Sequence, residues 1–281
     1  NYAFQYSKLQ SVTIPASVRT INQYAFGSCY DLENVTFAKD SAVELIGQNA
    51  FIYGRSLKNV TFDGVVAEEL EFGSSAFMGC TALESFVVPE NVTKIGLSCF
   101  LFCISMTDFQ FESVAKGTVS KLEKIDNNAF KGTGISEFVF PESSADSISL
   151  GTKMFFACPN LTSVTLSPQI TNISDVFTGC LRLESITIPA ENKNFISSGG
   201  VIYNQNQDVV DILFVYSVTT PDEEGKTLVD ENGKVVLPSN IAQIGASAFA
   251  GRHQVHRHPQ VRADDRQLCL QRLRQSGRGH L

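Results

Sequence analysis

The dipeptide Ala-Phe returns along this chain at a near-constant distance, and that recurrence limits the fold more than any other feature. It stands at Ala3-Phe4, Ala25-Phe26, Ala50-Phe51, Ala76-Phe77, Ala129-Phe130 and Ala248-Phe249. Cys99-Phe100, Met154-Phe155 and Val176-Phe177 fill most of the gaps, so most spacings lie between 22 and 30 residues. The stretch from Phe177 to Phe249 is 72 residues, close to three average units. Composition agrees. With 21 Phe against 3 Met and no Trp, one packing slot is filled many times, which is the mark of a repeat.

The flanks of Phe repeat as well. Five residues earlier stands an apolar residue, often followed by Gly: Ile21, Ile46-Gly47, Phe72-Gly73, Ile95-Gly96, Ile125, Leu150-Gly151, Ile244-Gly245. Three residues later stands a small one, usually Cys: Cys29, Gly54, Cys80, Cys103, Thr133, Cys158, Cys180. An apolar-x-x-apolar-x-apolar run follows, as in Leu32-Val35-Phe37, Leu57-Val60-Phe62, Leu83-Phe86-Val88, Leu161-Val164-Leu166 and Leu183-Ile186-Ile188. Pro15, Pro89, Pro141 and Pro189 close several units.

The end of each run alternates in-out-in and favours Val, Ile and Thr, as a short strand does. Pro just past it stops a ladder. Such a unit cannot bury its apolar face alone, so neighbours must stack and share one core. About nine units at one strand spacing each make a rod on the order of 45 Å. The I-G-x-x-A-F stretch is expected to turn the chain and return Phe to the interior.

The consensus I-G-x-x-A-F-x-x-C-x-x-L-x-x-V-x-I-P resembles the BspA-type leucine-rich repeats of surface proteins from bacteria and some parasitic protists. The match covers about residues 1–190 and 235–251. The expected fold is a leucine-rich-repeat solenoid, a right-handed coil with a parallel β-sheet on its concave face. Short turns and irregular segments occupy the convex face, and one β-hairpin insertion interrupts the series. The domain reading is repeats over 1–189, a hairpin and acidic loop over 190–234, and a further repeat over 235–251. Residues 112–121 read as a smaller insertion. Within 190–234, Asn194-Phe195, Gly199 to Tyr203 and Asp211 to Tyr216 suggest two strands around a polar turn at Asn204–Asp208. Hairpin insertions of this kind are a feature of the resemblance. Because the chain opens inside a unit, at Asn1-Tyr2-Ala3-Phe4, it is expected to be a piece of a longer protein that carries any signal or anchor elsewhere.

Residues 252–281 differ from everything before them. They hold all four His and seven of the ten Arg, with no Lys, Phe, Tyr or Ile. Their net charge is +5, from 7 Arg and 2 Asp, whereas residues 1–251 carry 15 basic against 27 acidic side chains, net −12. Written back as codons (Arg as CGN, Leu as CTN, Ser276 as AGY) and moved one nucleotide forward, the tail permits T-K-F-T-V-I-P-K-S-V-Q-T-I-G-N-S-A-F-N-G-C-D-K. That string aligns without a gap to Ile14–Cys29. The tail therefore reads as a frame-shifted, non-native end rather than a nucleic-acid or metal arm.

Chemistry is scarce in the repeats. Five of the seven Cys share the slot three residues after Phe, where Gly54 and Thr133 substitute, so the slot asks for a small buried residue rather than a disulfide or metal ligand. Residues 1–251 contain no His, which removes Ser-His and Cys-His nucleophile pairs. No phosphate-binding glycine motif occurs, and Gly199-Gly200 suits a hairpin turn. The reading is no enzyme, no cofactor and no metal. No run of 18 apolar residues occurs, so direct membrane insertion is not expected. The acidic body argues against nucleic acid and anionic membranes.

The outward positions of the strands are the candidate partner-binding face: Thr13, Asn34, Thr36, Asn59, Thr61, Ser85, Asp108, Gln110, Glu137, Ser163, Thr165, Ser185 and Thr187. Solenoids use such extended faces to hold partners. The resemblance implies a cell-surface or secreted protein whose partner is a protein of the host extracellular matrix or of another cell surface. Two alternatives are a passive spacer in a larger surface protein and a hydrolase using a carboxylate pair near Asp208 and Asp211. Sequons at Asn34, Asn59, Asn91, Asn160 and Asn172 are expected by chance in so Thr-rich a repeat.

Overall fold

Six successive coils each carry two short strands and the next two carry one each, and the coils stack in parallel for about seven turns. The computed structural model describes residues 1–204, 210–216, 221–228, 230, 234–237, 241–244 and 248–249. In chain order the strands are β1 (Ser11–Ile14) and β2 (Thr20–Ile21), β3 (Asn34–Phe37) and β4 (Leu45–Ile46), β5 (Asn59–Phe62) and β6 (Leu70–Phe72), β7 (Ser85–Val88) and β8 (Val92–Ile95). Then come β9 (Asp108–Phe111), helix α1 (Glu112–Lys116) and β10 (Lys124–Ile125), β11 (Glu137–Val139) and β12 (Ser149–Leu150), β13 (Ser163–Thr165) and β14 (Ser185–Thr187).

The odd-numbered strands to β13, with β14, are the V-x-F runs, and they make the expected parallel sheet. Register is residue for residue: Ser11, Val12, Thr13 and Ile14 face Asn34, Val35, Thr36 and Phe37, which face Asn59 to Phe62. The side-chain alternation of a strand then puts like beside like in every coil. Val35 and Phe37 are fully buried, while Asn34 lies in solvent.

The other side of the coil is more regular than turns and irregular segments alone. The residues leading into I-G pair across coils as a second parallel sheet of six strands, in the order β12-β10-β8-β6-β4-β2. The expected turns follow it. Two residues per coil there take a left-handed backbone, two before and two after Phe: Tyr24 and Ser28, Asn49 and Tyr53, Ser75 and Gly79, Ser98 and Phe102, Asn128 and Gly132. This bending lets alternate amides act in two directions. In one coil the N–H groups of Ala25, Gly27 and Cys29 donate to Asn22, Tyr24 and Phe26, closing tight turns. Those of Tyr24, Phe26 and Ser28 donate to Gln48, Ala50 and Ile52 of the next coil at 2.7–3.1 Å. The buried turn backbone is thus satisfied without helix or strand.

Phe fills the space between the sheets. From Phe4 through Phe26, Phe51, Phe77, Phe100, Phe130 and Phe155 to Phe177, each ring stacks on the next with centroids 5.1–5.9 Å apart. Phe51, Phe77, Phe100, Phe130, Phe155 and Phe177 are fully buried. The glycines of I-G have a separate cause. A Cβ on Gly96 would stand 2.6 Å from the carbonyl carbon of Gly73, and one on Gly73 2.8 Å from that of Gly47. Close approach of successive backbones, not unusual φ, selects glycine there.

At one corner a column of buried hydroxyls makes local turns. Ser41, Ser120, Ser143 and Ser167 accept from the amides two residues on, those of Val43, Leu122, Ala145 and Gln169. Asn192 ends the column: its buried amide donates to Ser167 and Ile170 at 3.0 Å and accepts from the amides of Asn194 and Phe195.

After β14 the chain leaves the repeat. β15 (Phe195–Ser198) and β16 (Val201–Asn204) pair antiparallel around Gly199-Gly200, whose φ values of 56° and 77° are those of a tight two-residue hairpin turn. β17 (Val210–Val215) pairs antiparallel with β16, and β18 (Ile241–Ile244) pairs parallel with β17. The insertion therefore has one strand more than the sequence suggests, because Phe195 to Ser198 also pairs. The expected turn beyond Asn204, Asp208 included, lies outside the described residues, as do Gly245 and the whole of 252–281. In the smaller insertion, α1 is closed by Gly117 with a left-handed backbone.

Candidate functional site

None of the thirteen proposed face residues is buried. Thr13, Asn34, Asn59, Thr61, Ser85, Asp108, Gln110, Glu137, Ser185 and Thr187 are exposed, and Thr36, Ser163 and Thr165 are half-buried. The strands bring them together in columns. Ser11, Asn34 and Asn59 make one, and Thr13, Thr36 and Thr61 the column beside it. Glu137, Ser163 and Ser185 continue the first pattern further along, with Val139, Thr165 and Thr187 beside them. Neighbours in a column interact. The side-chain amide of Asn59 donates to the Asn34 carbonyl oxygen at 2.7 Å, and Lys58 pairs with Glu33 at 2.9 Å across the same two coils. Exposed pairs of this kind contribute at most about 1 kcal/mol each.

The face is not one continuous ladder. Its hydrogen bonding falls into β1-β3-β5, β7-β9 and β11-β13-β14. At the first seam the inward residue of the strand changes from Val60 to the larger Phe86, and the rings of Phe62 and Phe86 meet edge-on at 6.2 Å rather than stacked. The strands part there. Val60 and Phe62 are half-buried, whereas Val35 and Phe37, at the same positions one coil earlier, are fully buried. A cleft of about 350 Å³ opens over the seam, lined by Asn59 to Phe62, Ser85 to Val87, Pro89 and Glu112. Sequence reasoning missed it. No signal in the repeat marks it: the ladder breaks again between Phe109 and Phe138, which are alike, and holds between Phe138 and Val164, which are not. Val87, which the alternation of β7 turns outward, is an exposed apolar side chain on its wall.

The thiols behave as a packing column with one polar duty. Cys29, Cys80, Cys103, Cys158 and Cys180 each donate to the carbonyl oxygen of the Phe one coil earlier, at 3.0–3.3 Å. Where Cys fills the slot it adds a weak hydrogen bond to its small volume; Gly54 fills it with neither side chain nor donor. Burial pushes the Cys80 thiol up to about 12, and those of Cys99, Cys103 and Cys180 well up. Such thiols remain protonated and unreactive at neutral pH. Among the described residues no group of His, Cys, Asp and Glu is placed to hold a metal ion, and no helix is long and apolar enough to cross a membrane.

A family model described as the BspA type leucine rich repeat region matches six copies, over residues 1–121 and 71–207. None of the curated proteins compared matches the chain. Among solved structures, the pneumococcal vaccine antigen PcpA is 19% identical, with 85% of this chain and 52% of that one aligned at a TM-score of 0.50. A leucine-rich repeat protein from Eubacterium ventriosum is 18% identical over 70% of this chain and 52% of that one, also at 0.50. A leucine rich cell surface protein from Faecalibacterium prausnitzii is 20% identical over 86% and 60%, at 0.49. The chain spans about half the length of the first two, and at these identities the likeness is one of fold. None of the three descriptions names an enzyme. With six repeat matches across residues 1–207 and coils stacked in the register the motif demands, this chain belongs to the BspA type leucine rich repeat family.

Proposed function

We propose that this chain is a non-enzymatic interaction module, secreted or displayed at a cell surface, that holds a protein partner on the polar face of its first sheet. The observation that carries this reading is the alignment of outward side chains: the same polar positions of successive coils stand side by side, while the residues between them are buried or half-buried. Short Ser, Thr and Asn side chains lose little conformational entropy when covered, and they offer donors and acceptors at strand spacing. Partners drawn from host extracellular matrix or another cell surface are in keeping with the family and with the cell-surface description of the Faecalibacterium protein. The acidic body favours partners with basic surfaces and disfavours nucleic acid.

The test is surface binding of the chain to immobilised fibronectin, fibrinogen, laminin and collagen, and to intact epithelial cells. A variant with Asn34, Thr36, Thr61, Thr165 and Thr187 changed to Lys is compared with the parent. Loss of binding in the variant, at unchanged thermal unfolding, supports the reading. Binding that survives the five substitutions refutes use of this face. No binding to any surface favours a passive spacer.

A further inference from the structure

We propose that the seam between β5 and β7 seats an extended peptide segment carrying an apolar side chain flanked by Lys or Arg, an inference that rests on the partner-binding reading of the first sheet. In a parallel ladder each residue sends both its N–H and its C=O to one neighbour, and successive residues alternate. The amides of Asn59 and Asp63 donate to Glu33 and Phe37, so Asn59, Thr61 and Asp63 face β3 and Val60 and Phe62 face the seam. The amides of Thr107 and Asp108 donate to Glu84, so Glu84, Phe86 and Val88 face β9 and Ser85 and Val87 face the seam. No ladder joins β5 to β7. Four residues therefore direct backbone donors and acceptors into an open cleft, two from each wall.

That arrangement fits one class of occupant. A polypeptide backbone alternates donors and acceptors at the spacing of a strand edge, which is how extended peptides are held on sheets. The cleft adds a place for a side chain. Its walls are Val60, Phe62, Phe86, Val87 and Pro89, and about 350 Å³ is room for one large aliphatic or aromatic group. Buried apolar anchors of this kind dominate interface energy. Charge then selects among peptides. Glu112 lines the cleft, Glu84 precedes β7 in solvent, and Asp108 opens the neighbouring strand. Lys116 is held by Glu112 at 2.7 Å and Glu90 at 3.6 Å, and Lys58 by Glu33. The carboxylates of Glu84 and Asp108 form no ion pair among the described residues, so flanking cations on the peptide meet uncompensated acidic groups.

The experiment titrates the full ¹⁵N-labelled chain at low salt with a capped peptide G-K-V-F-V-K-G, its acidic counterpart G-E-V-F-V-E-G, and a lysine peptide N-methylated at its central residues. The amides of Val60, Phe62, Ser85 and Val87 shift first, and the lysine peptide binds about tenfold more tightly than the acidic one. N-methylation abolishes the shifts. Val87→Lys, at an exposed position, abolishes binding with unchanged thermal unfolding, and Thr165→Lys, three strands away, leaves it intact. Shifts on the first sheet that spare the seam overturn this site and leave the partner-binding reading standing. So would no shift at all, equal binding of the N-methylated peptide, or equal loss in both lysine variants. Seam binding without any binding to matrix proteins or cells overturns the proposed function alone.

Discussion

Replacing Gly96 by Ala tests the idea that the glycine of each coil is there for room. The new Cβ would lie 2.6 Å from the Gly73 carbonyl carbon, 2.7 Å from the Phe72 oxygen and 2.8 Å from the Ser74 nitrogen. All three belong to backbone, so none can swing aside, and the coils must part by about 0.6–0.8 Å to reach ordinary contact. Overpacking of that order costs about 1–3 kcal/mol. The 2.8 Å bond from the Gly96 amide to Phe72 lies at the point of separation, and its weakening adds up to about 1 kcal/mol. Lower entropy of the unfolded Ala chain offsets about 0.4–1 kcal/mol. The net expectation is a loss of about 1–3 kcal/mol, read by urea unfolding followed by far-ultraviolet circular dichroism, since the chain has no Trp. The series should be graded. Gly151, whose Cβ would come within 2.2 Å of the Asn127 nitrogen, should lose most, and Gly47, at 2.8 Å from the Ile21 oxygen, least. A neutral Gly96→Ala, or a Gly47 variant less stable than the Gly151 one, would show that the coils do not approach as described.

Other outcomes follow from the same geometry. Phe100→Ala removes a fully buried ring that stacks on Phe77 and Phe130, and it should cost about 3–5 kcal/mol in the same assay. The Cys80 thiol, raised by burial to about 12, keeps its proton in the folded chain after the unfolded chain has lost its own. Its contribution is therefore complete below about pH 9 and falls as pH rises toward 12. The slope approaches about 1.4 kcal/mol per pH unit, and Cys80→Ala should flatten the decline by that share. Asn192→Ala strands two amides, and it leaves the Ser167 carbonyl only its bond from the Ile170 amide and the Ile170 carbonyl only its bond from Asn194, so it should lower stability by about 1–3 kcal/mol, seen as a fall in Tm. Gly79→Ala places a Cβ 2.6 Å from the Tyr53 ring at a left-handed backbone position. Adding Tyr53→Ala should relieve the clash but not the backbone strain, giving a coupling of about 0.5 kcal/mol or more in a double-mutant cycle.

The coil, its core and the direction of its outward side chains were legible in the sequence, because each follows from local alternation repeated at a fixed period. Val35 between Asn34 and Thr36 can face only one way once Phe37 is inside, and every later unit repeats the choice. The small slot after Phe was legible too, from Gly54 and Thr133 standing where Cys stands elsewhere. Tertiary structure decided what depends on the distance between coils. The Cys thiols find their acceptor in the preceding coil, the I-G residues pair into a second sheet only when stacked, and glycine is required there by a neighbour's backbone. The seam at β5 and β7 belongs to the same class. Val60 to Phe86 and Phe138 to Val164 are both changes of inward size 26 positions apart, yet the ladder breaks at the first and holds at the second, so a local pattern cannot say whether two such strands will close or part.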